Sequence, residues 1–228
     1  KKSKSNVYRF YKSSYFVYYT YCFFIDFTRI YRYNVRYTNL LRRKYELMAN
    51  KTTVALTQEQ LKEIIETMRS GGAGFRPNDR IAPCLMLEAN LGLRIEDILQ
   101  LRLSDFLKDG TNYRIDIVEH KTQKKRTFIV PLEIYQFVYI YCMGRYIPAD
   151  KRIFPITTRA VQKYLQKVVD YLGYENIGTH SFRKFFASEM YEDNDHDIEL
   201  VRELLQHSSV VTTQRYIKRS SKTVEEAL

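Results

Sequence analysis

Thr179-His180-Ser181-Phe182-Arg183, followed by Leu205-Gln206-His207 and then Tyr216, is the stretch on which the reading of this chain turns. It gathers two imidazoles, a guanidinium and a phenol on segments patterned as short, capped helices. A phenol with an ordinary pKa of about 10 is only roughly one part in a thousand ionised at neutral pH. It serves as a nucleophile only where one group takes its proton and a cationic group receives the centre it attacks. His180 and His207 can do the first, and Arg183 the second. The planar guanidinium fork fits phosphate oxygens two at a time, which points to phosphoryl chemistry.

Working outward, the apolar spacing predicts helices on both sides of a small sheet. Thr57-Gln58-Glu59-Gln60 is a capping-box pattern ahead of Leu61, Ile64, Ile65 and Met68, with Gly71-Gly72 as the stop. Asn78 is placed to cap a second helix through Leu91, ended by Gly92. A short third helix follows Arg94 and carries Ile95, Ile98, Leu99 and Leu101. From Tyr113 to Glu119 the period changes to two, as in a strand. Thr127 to Val130 reads as its antiparallel mate, which makes His120 to Arg126 a basic hairpin turn. Pro131 opens a helix to about Arg145. Thr157 or Thr158 caps another, with Val161, Leu165, Val168, Val169 and Leu172 inward and Gly173 as stop. Ser181–Tyr191, Ile198–Leu205 and Thr212–Ile217 read as helical, and Thr223–Leu228 as one further turn or two. The expected fold class is mainly α with a small antiparallel β-sheet of two or three strands (α+β).

Composition divides the 228 residues in two. Residues 1–47 hold 11 Lys and Arg against Asp26 and Glu46, a net +9 of the chain's +11. The remaining 26 basic residues nearly balance 24 acids, so net charge alone is weak evidence for a polyanionic partner. The first 47 residues also carry ten of the 20 tyrosines and no Gly, Pro or Ala. An AT-rich reading frame translates to such a composition, and Arg42-Arg43-Lys44 matches a translated purine-rich ribosome-binding site. The expectation is an extension over 1–47, native synthesis starting at Met48, and a catalytic domain over 48–228. A native peptide spanning Leu41 to Lys51, found by mass spectrometry, refutes that start. The competing reading is a basic, aromatic arm that stacks on bases. Tyr15 to Ile25 mimics a signal peptide but lacks a small-residue cleavage site and is too short to span a bilayer. Cys22, Cys84 and Cys142 lie far apart, as reduced thiols in a cytoplasmic protein do. With His120, His180, His196 and His207 they form no zinc-ligand spacing.

Further pieces join the opening stretch in a fixed order. They are Leu91-Gly92-Leu93-Arg94-Ile95-Glu96-Asp97, then His120-Lys121-Thr122 on the hairpin before Val130-Pro131-Leu132, and finally Ser208-Ser209 with Thr212-Thr213-Gln214-Arg215-Tyr216. Over about residues 57–219 this order resembles the catalytic domain of the tyrosine recombinase, or phage integrase, family. The resemblance implies that Tyr216 attacks a phosphodiester of double-stranded DNA and forms a 3′-phosphotyrosine, from which another 5′-hydroxyl reseals the strand without ATP. It implies that Arg94 and Arg183 hold the non-bridging oxygens, Lys121 protonates the leaving 5′-oxygen, His180 assists proton transfer at the phenol, and His207 hydrogen-bonds the phosphate. Neither metal nor other cofactor is implied. Implied partners are DNA, further copies of the chain in a tetrameric synapse, and accessory DNA-binding proteins, with a mobile element, inversion or resolution as the setting. The segment Lys218–Leu228, with Val224 and Leu228 apolar, would dock on a neighbouring protomer.

Taken singly, each residue has an ordinary structural explanation. Arg94 follows a helix-stopping glycine, where a cation favours the C-terminal dipole. Lys121 sits among Lys124, Lys125 and Arg126, a run that reads as a solvated face. Either histidine alone fits a core or a cap, and Tyr216 matches Tyr164 or Tyr191 in character. Asp97 reads either as a carboxylate orienting Arg94 or His180, or as an exposed helical acid. Gln206 stands where the family often has Gly. The family's usual core-binding helical domain is not legible ahead of the catalytic part, so phosphate contacts should be fewer and binding salt-sensitive. The competing functions are a non-catalytic DNA-binding regulator or integrase remnant, a type IB topoisomerase-like relaxation activity, and a plain helical scaffold.

Overall fold

The capping box forms as expected, and it starts the first helix. In the computed structural model, which describes residues 53–121 and 123–217, Thr57 Oγ1 accepts from the Gln60 amide at 3.2 Å, and Gln60 Oε1 accepts from the Thr57 amide at 3.0 Å. Helix α1 runs over Gln58–Ser70 and buries Ile64, Ile65 and Met68. Residues 1–47, the Met48 start, Cys22 and the segment 218–228 lie outside the described residues.

Helix α2, Ile81–Leu91, is apolar on nearly every side and is buried along almost its whole length, as such a helix must be. Asn78 does accept from the start of the helix, but from outside: its Oδ1 takes the Arg80 and Ile81 amides, and the helix starts at Ile81, two residues later than a cap at Asn78 implies. Gly92 ends α2 at φ +59 in the left-handed region. A Cβ there would sit 2.2 Å from Phe186 Cδ1, so only glycine fits on both counts. A short helix α3, Ile95–Ile98, follows.

The sheet has three antiparallel strands in the order β1, β2, β3. They are Phe106–Asp109, Asn112–Val118 and Lys125–Val130. The register sets Phe106 opposite Ile115, and Ile115 opposite Phe128. Phe106, Ile115 and Val130 are buried, while Tyr113 stacks on Tyr135 of the next helix at 3.5 Å between ring centroids. One expectation fails here. Strand β3 begins at Lys125, so Arg126 belongs to the strand and is buried rather than to a solvated turn. The reason is electrostatic: a fully buried carboxylate, Glu119, draws it inward.

Helix α4, Leu132–Met143, covers the sheet. Helix α5, Thr158–Leu172, is capped by Thr157 and stopped by Gly173, and it turns Val161, Leu165, Val168 and Val169 into the core. Helix α6, Thr179–Asp193, packs along α2. Helix α7, Ile198–Leu205, then packs on α6, and a last short helix α8, Val210–Gln214, packs on α7. The last helix starts and ends earlier than its expected 212–217 span, because Ser209 Oγ accepts from the Val211 amide. The fold is thus mainly α with a three-stranded antiparallel sheet. Among the described residues no helix is long and apolar enough to cross a membrane. Cys84 and Cys142 are buried free thiols.

Candidate active site

Arg183 stands at the centre, in the second turn of α6, with none of its surface exposed. Its Nη1 donates to the Gly92 carbonyl at 2.5 Å and its Nη2 to the Leu205 carbonyl at 2.7 Å. One side chain therefore joins the end of α2 to the end of α7. These bonds use two of its five N–H groups. Nε finds no acceptor among the described residues. Burial above all, then the field of Arg94, lowers the guanidinium pKa from its ordinary value.

Arg94 enters from the start of α3. Its Nη1 donates to Glu119 Oε2 at 2.5 Å, and Arg126 Nη1 donates to Glu119 Oε1 at 3.4 Å. Glu119 is wholly buried between the two guanidiniums. Arg126 also reaches the Leu91 carbonyl and lies over the Phe128 ring. Desolvation, reinforced by the repulsion of Arg183, brings its pKa down to about 9. Asp97 is buried and not an exposed helical acid. Its Oδ1 accepts from the His120 amide at 2.8 Å, which fastens the β2–β3 turn to α3. It bonds the hairpin, and neither Arg94 nor His180. Burial is the main cause of its raised pKa.

His207 is 8% exposed, just past α7. Gln206 takes the left-handed conformation at φ 52, the geometry for which glycine is suited, and so ends the helix. The His207 Nδ1 lies 3.1 Å from Thr213 Oγ1, and its ring meets the Tyr216 ring edge to face at 4.8 Å. Desolvation first, then Arg183 and Arg94, lower the His207 pKa to about 4, so the ring is neutral at pH 7. Tyr216 follows α8 in a turn closed by its amide on the Thr213 carbonyl at 2.8 Å. It is half-buried against the Phe186, Ala187, Met190, Val201 and Leu205 cluster, and Lys184 Nζ sits 5.5 Å over its ring. Lys184 also donates to the Thr53 carbonyl.

His180, in the first turn of α6, keeps an exposed edge. Partial desolvation, then Arg183, Lys121, Lys184 and Arg94, lower its pKa below the usual 6.5. Lys121 is exposed on the hairpin turn, close enough to contribute to that shift. Among the described residues no hydrogen bond or ion pair holds its ammonium. Arg94, Arg183, His180, His207 and Tyr216 are thus brought together on one side of the fold, with Lys121 at the edge.

Sequence reasoning did not find Glu119, Arg126, Lys184 or Glu88. Glu119 had a readable signal, since it continues the inward series Tyr113, Ile115, Ile117 in phase. Glu88 is fully buried in α2 with neither carboxyl oxygen at hydrogen-bond geometry, and desolvation raises its pKa well above the usual carboxylate range against the pull of Arg183. Its signal was an acid inside an otherwise apolar helix. Among the described residues, no three His, Cys, Asp or Glu side chains are placed to hold a metal ion.

The helical domain with its three-stranded sheet thus holds a braced arginine pair and a phenol beside a neutral imidazole. The phage integrase family matches residues 55–223, and the chain belongs to that family. It is 32% identical over 133 residues to the probable integrase/recombinase YoeC of Bacillus subtilis, covering 56% of this chain and 71% of that one. The structure is similar to the XerH site-specific recombinase bound to its difH substrate before cleavage, with TM-score 0.57 and 23% identity, over 79% of this chain and 55% of that one. It also resembles the catalytic domain of bacteriophage HP1 integrase, with TM-score 0.54 and 18% identity, over 77% of this chain and 93% of that domain. The chain spans about half the length of other curated relatives it matches.

Proposed function

We propose that this chain carries out site-specific cleavage and rejoining of double-stranded DNA through a 3′-phosphotyrosine. The observation that carries the reading is the ring contact of His207 with Tyr216 beside a buried, doubly braced Arg183. The Tyr216 oxygen attacks the phosphorus, its proton passes to a neutral His180, and the bond from phosphorus to the 5′-oxygen breaks. Lys121 gives that oxygen a proton. Arg94 and Arg183 meet the charge that builds on the non-bridging oxygens, a kind of donor worth about 3–4 kcal/mol each in comparable sites. Where Thr213 donates to His207 Nδ1, Nε2–H is the remaining imidazole donor and serves the phosphate. The lowered pKa of each histidine supports these parts, because burial and the neighbouring cations favour the neutral ring in both.

The partners proposed are duplex DNA, further copies of the chain assembled on it, and accessory DNA-binding proteins. The test uses the full chain and a nicked duplex bearing the sequence that the chain enriches from a randomised pool. The nick lets the cleaved end diffuse away and traps the intermediate. A covalent protein–DNA adduct that Tyr216→Phe abolishes while binding persists is the expected result. Binding with no adduct refutes the reading in favour of a regulator, and relaxation of supercoils by a monomer without sequence preference refutes it in favour of a topoisomerase.

A further inference from the structure

Gln206 adopts a backbone conformation that glycine takes freely and a glutamine does not, at φ 52 and ψ 38. Its Oε1 is buried with no donor among the described residues, a second local cost. What the side chain does make is a bond to a distant place: Nε2 donates to the Lys125 carbonyl at 3.2 Å.

Where that bond lands gives it meaning. Lys125 is the first residue of β3, paired with Val118, directly after the turn that carries Lys121. On its other flank the turn is anchored to α3, by Asp97 on the His120 amide and by Arg94 on Glu119. At the near end, Gln206 lies between Leu205, whose carbonyl receives Arg183, and His207, whose ring meets Tyr216. The carboxamide therefore spans from the phenol side of the site to the hairpin side. A glycine at this position would satisfy the backbone and leave the hairpin untied on that side.

We infer that Gln206 is a positioning residue, clamping the β2–β3 hairpin to the His207 end of the site and so setting where the Lys121 ammonium stands relative to the Tyr216 phenol. The inference rests on the assignment of Lys121 as the acid for the leaving 5′-oxygen, and chemistry can separate the two. With sulfur in place of the bridging 5′-oxygen, the bond from tyrosine oxygen to phosphorus still forms and the bond from phosphorus to sulfur breaks. The thiolate departs without a proton, because a thiol is ordinarily acidic near 8.5. A defect confined to proton delivery vanishes on that substrate, while a defect in folding, binding or attack persists.

The experiment compares the full chain with its Gln206→Gly, Gln206→Met and Lys121→Ala variants on the nicked duplex described above, with oxygen or sulfur at the cleavage position mapped from the adduct. Gln206→Gly should melt about 2–4 °C higher, since the strained backbone and the orphaned oxygen are both relieved. It should nonetheless cleave the oxygen substrate about five- to tenfold more slowly, the worth of one hydrogen bond, and cleave the sulfur substrate at the parental rate. Gln206→Met keeps the strain and removes the carboxamide with its orphaned oxygen, so it should slow equally with a smaller gain in melting temperature. Lys121→Ala should be slower still on oxygen and recover on sulfur. The inference is overturned if Gln206→Gly cleaves the oxygen substrate at the parental rate, or if its deficit persists on sulfur while that of Lys121→Ala is relieved. Failure of sulfur to relieve Lys121→Ala overturns the lysine's assignment and, with it, this inference.

Discussion

Gly92→Ala is expected to destabilise this fold by about 2–5 kcal/mol, and the structure divides that loss into two parts. The first is backbone: at φ +59 an L-residue pays about 1–2 kcal/mol that glycine does not. The second is contact. The new methyl carbon would lie 2.2, 2.4 and 2.8 Å from three carbons of the Phe186 ring, against an ordinary separation of about 3.5–4.0 Å. Phe186 is itself buried, so the ring must push α6 away from α2, an overpacking of about 1–3 kcal/mol. The same motion lengthens the bond from Arg183 to the Gly92 carbonyl. Urea denaturation at pH 7 measures the total. The double variant Gly92→Ala/Phe186→Leu should recover about 1–2 kcal/mol of coupling and leave the backbone share in place. The reasoning fails if Gly92→Ala lies within about 0.5 kcal/mol of the parent, or if the smaller residue at 186 returns nothing.

Three further outcomes follow from the site. Glu119→Ala strips two buried guanidiniums of their shared carboxylate and should cost about 3–5 kcal/mol in denaturant; a loss under about 1 kcal/mol means the pairs are not formed as described. His207, neutral and buried, must take up a proton in acid: its folded pKa of about 4 lies below the unfolded value of 6.5, so the unfolded chain binds more protons. Stability is whole above pH 6.5 and falls toward pH 4, by about 3 kcal/mol at 1.36 kcal/mol for each pH unit. His207→Gln should flatten that portion of the pH–stability curve, and an unchanged slope would count against it. Arg94→Ala should lower the rate of adduct formation on the nicked duplex by about 10²–10³-fold, with melting followed in parallel because Glu119 loses a partner; a rate within threefold of the parent removes Arg94 from the chemistry.

The elements that the sequence announced were those whose instructions are local. Thr57 with Gln60, Thr157, Gly92 and Gly173 act within a few residues of themselves, and each stands where it was expected. Strand β1 stayed uncertain because a single inward residue, Phe106, carries its burial, too little for a period to show. The hairpin was misread at Arg126 for a different reason. Three basic residues in a row, Lys124 to Arg126, look solvated, and only the tertiary placement of Glu119 distinguishes the one that turns inward. The spacing of His180 and Arg183 was legible, since three residues on one helix set them on adjoining turns, while His207 and Tyr216 flank the short α8. Lys184 and Glu88 were not, because a charge is buried by what surrounds it and no neighbour in sequence records that. Gln206 was noted for its place, but its reach to Lys125 crosses 81 residues.

The bracing of Arg183 makes one side chain answer to two demands. Its guanidinium is gripped by main-chain oxygens, which every residue carries, so a change of side chain at 92 or 205 loosens it only by moving the backbone. Truncating the arginine itself severs the ends of α2 and α7 in the same stroke, and a dead variant made that way reports collapse as readily as lost chemistry. Anyone wanting an inert but intact copy, to trap a complex or to compete with the active one, has to leave this keystone alone and disarm the phenol instead.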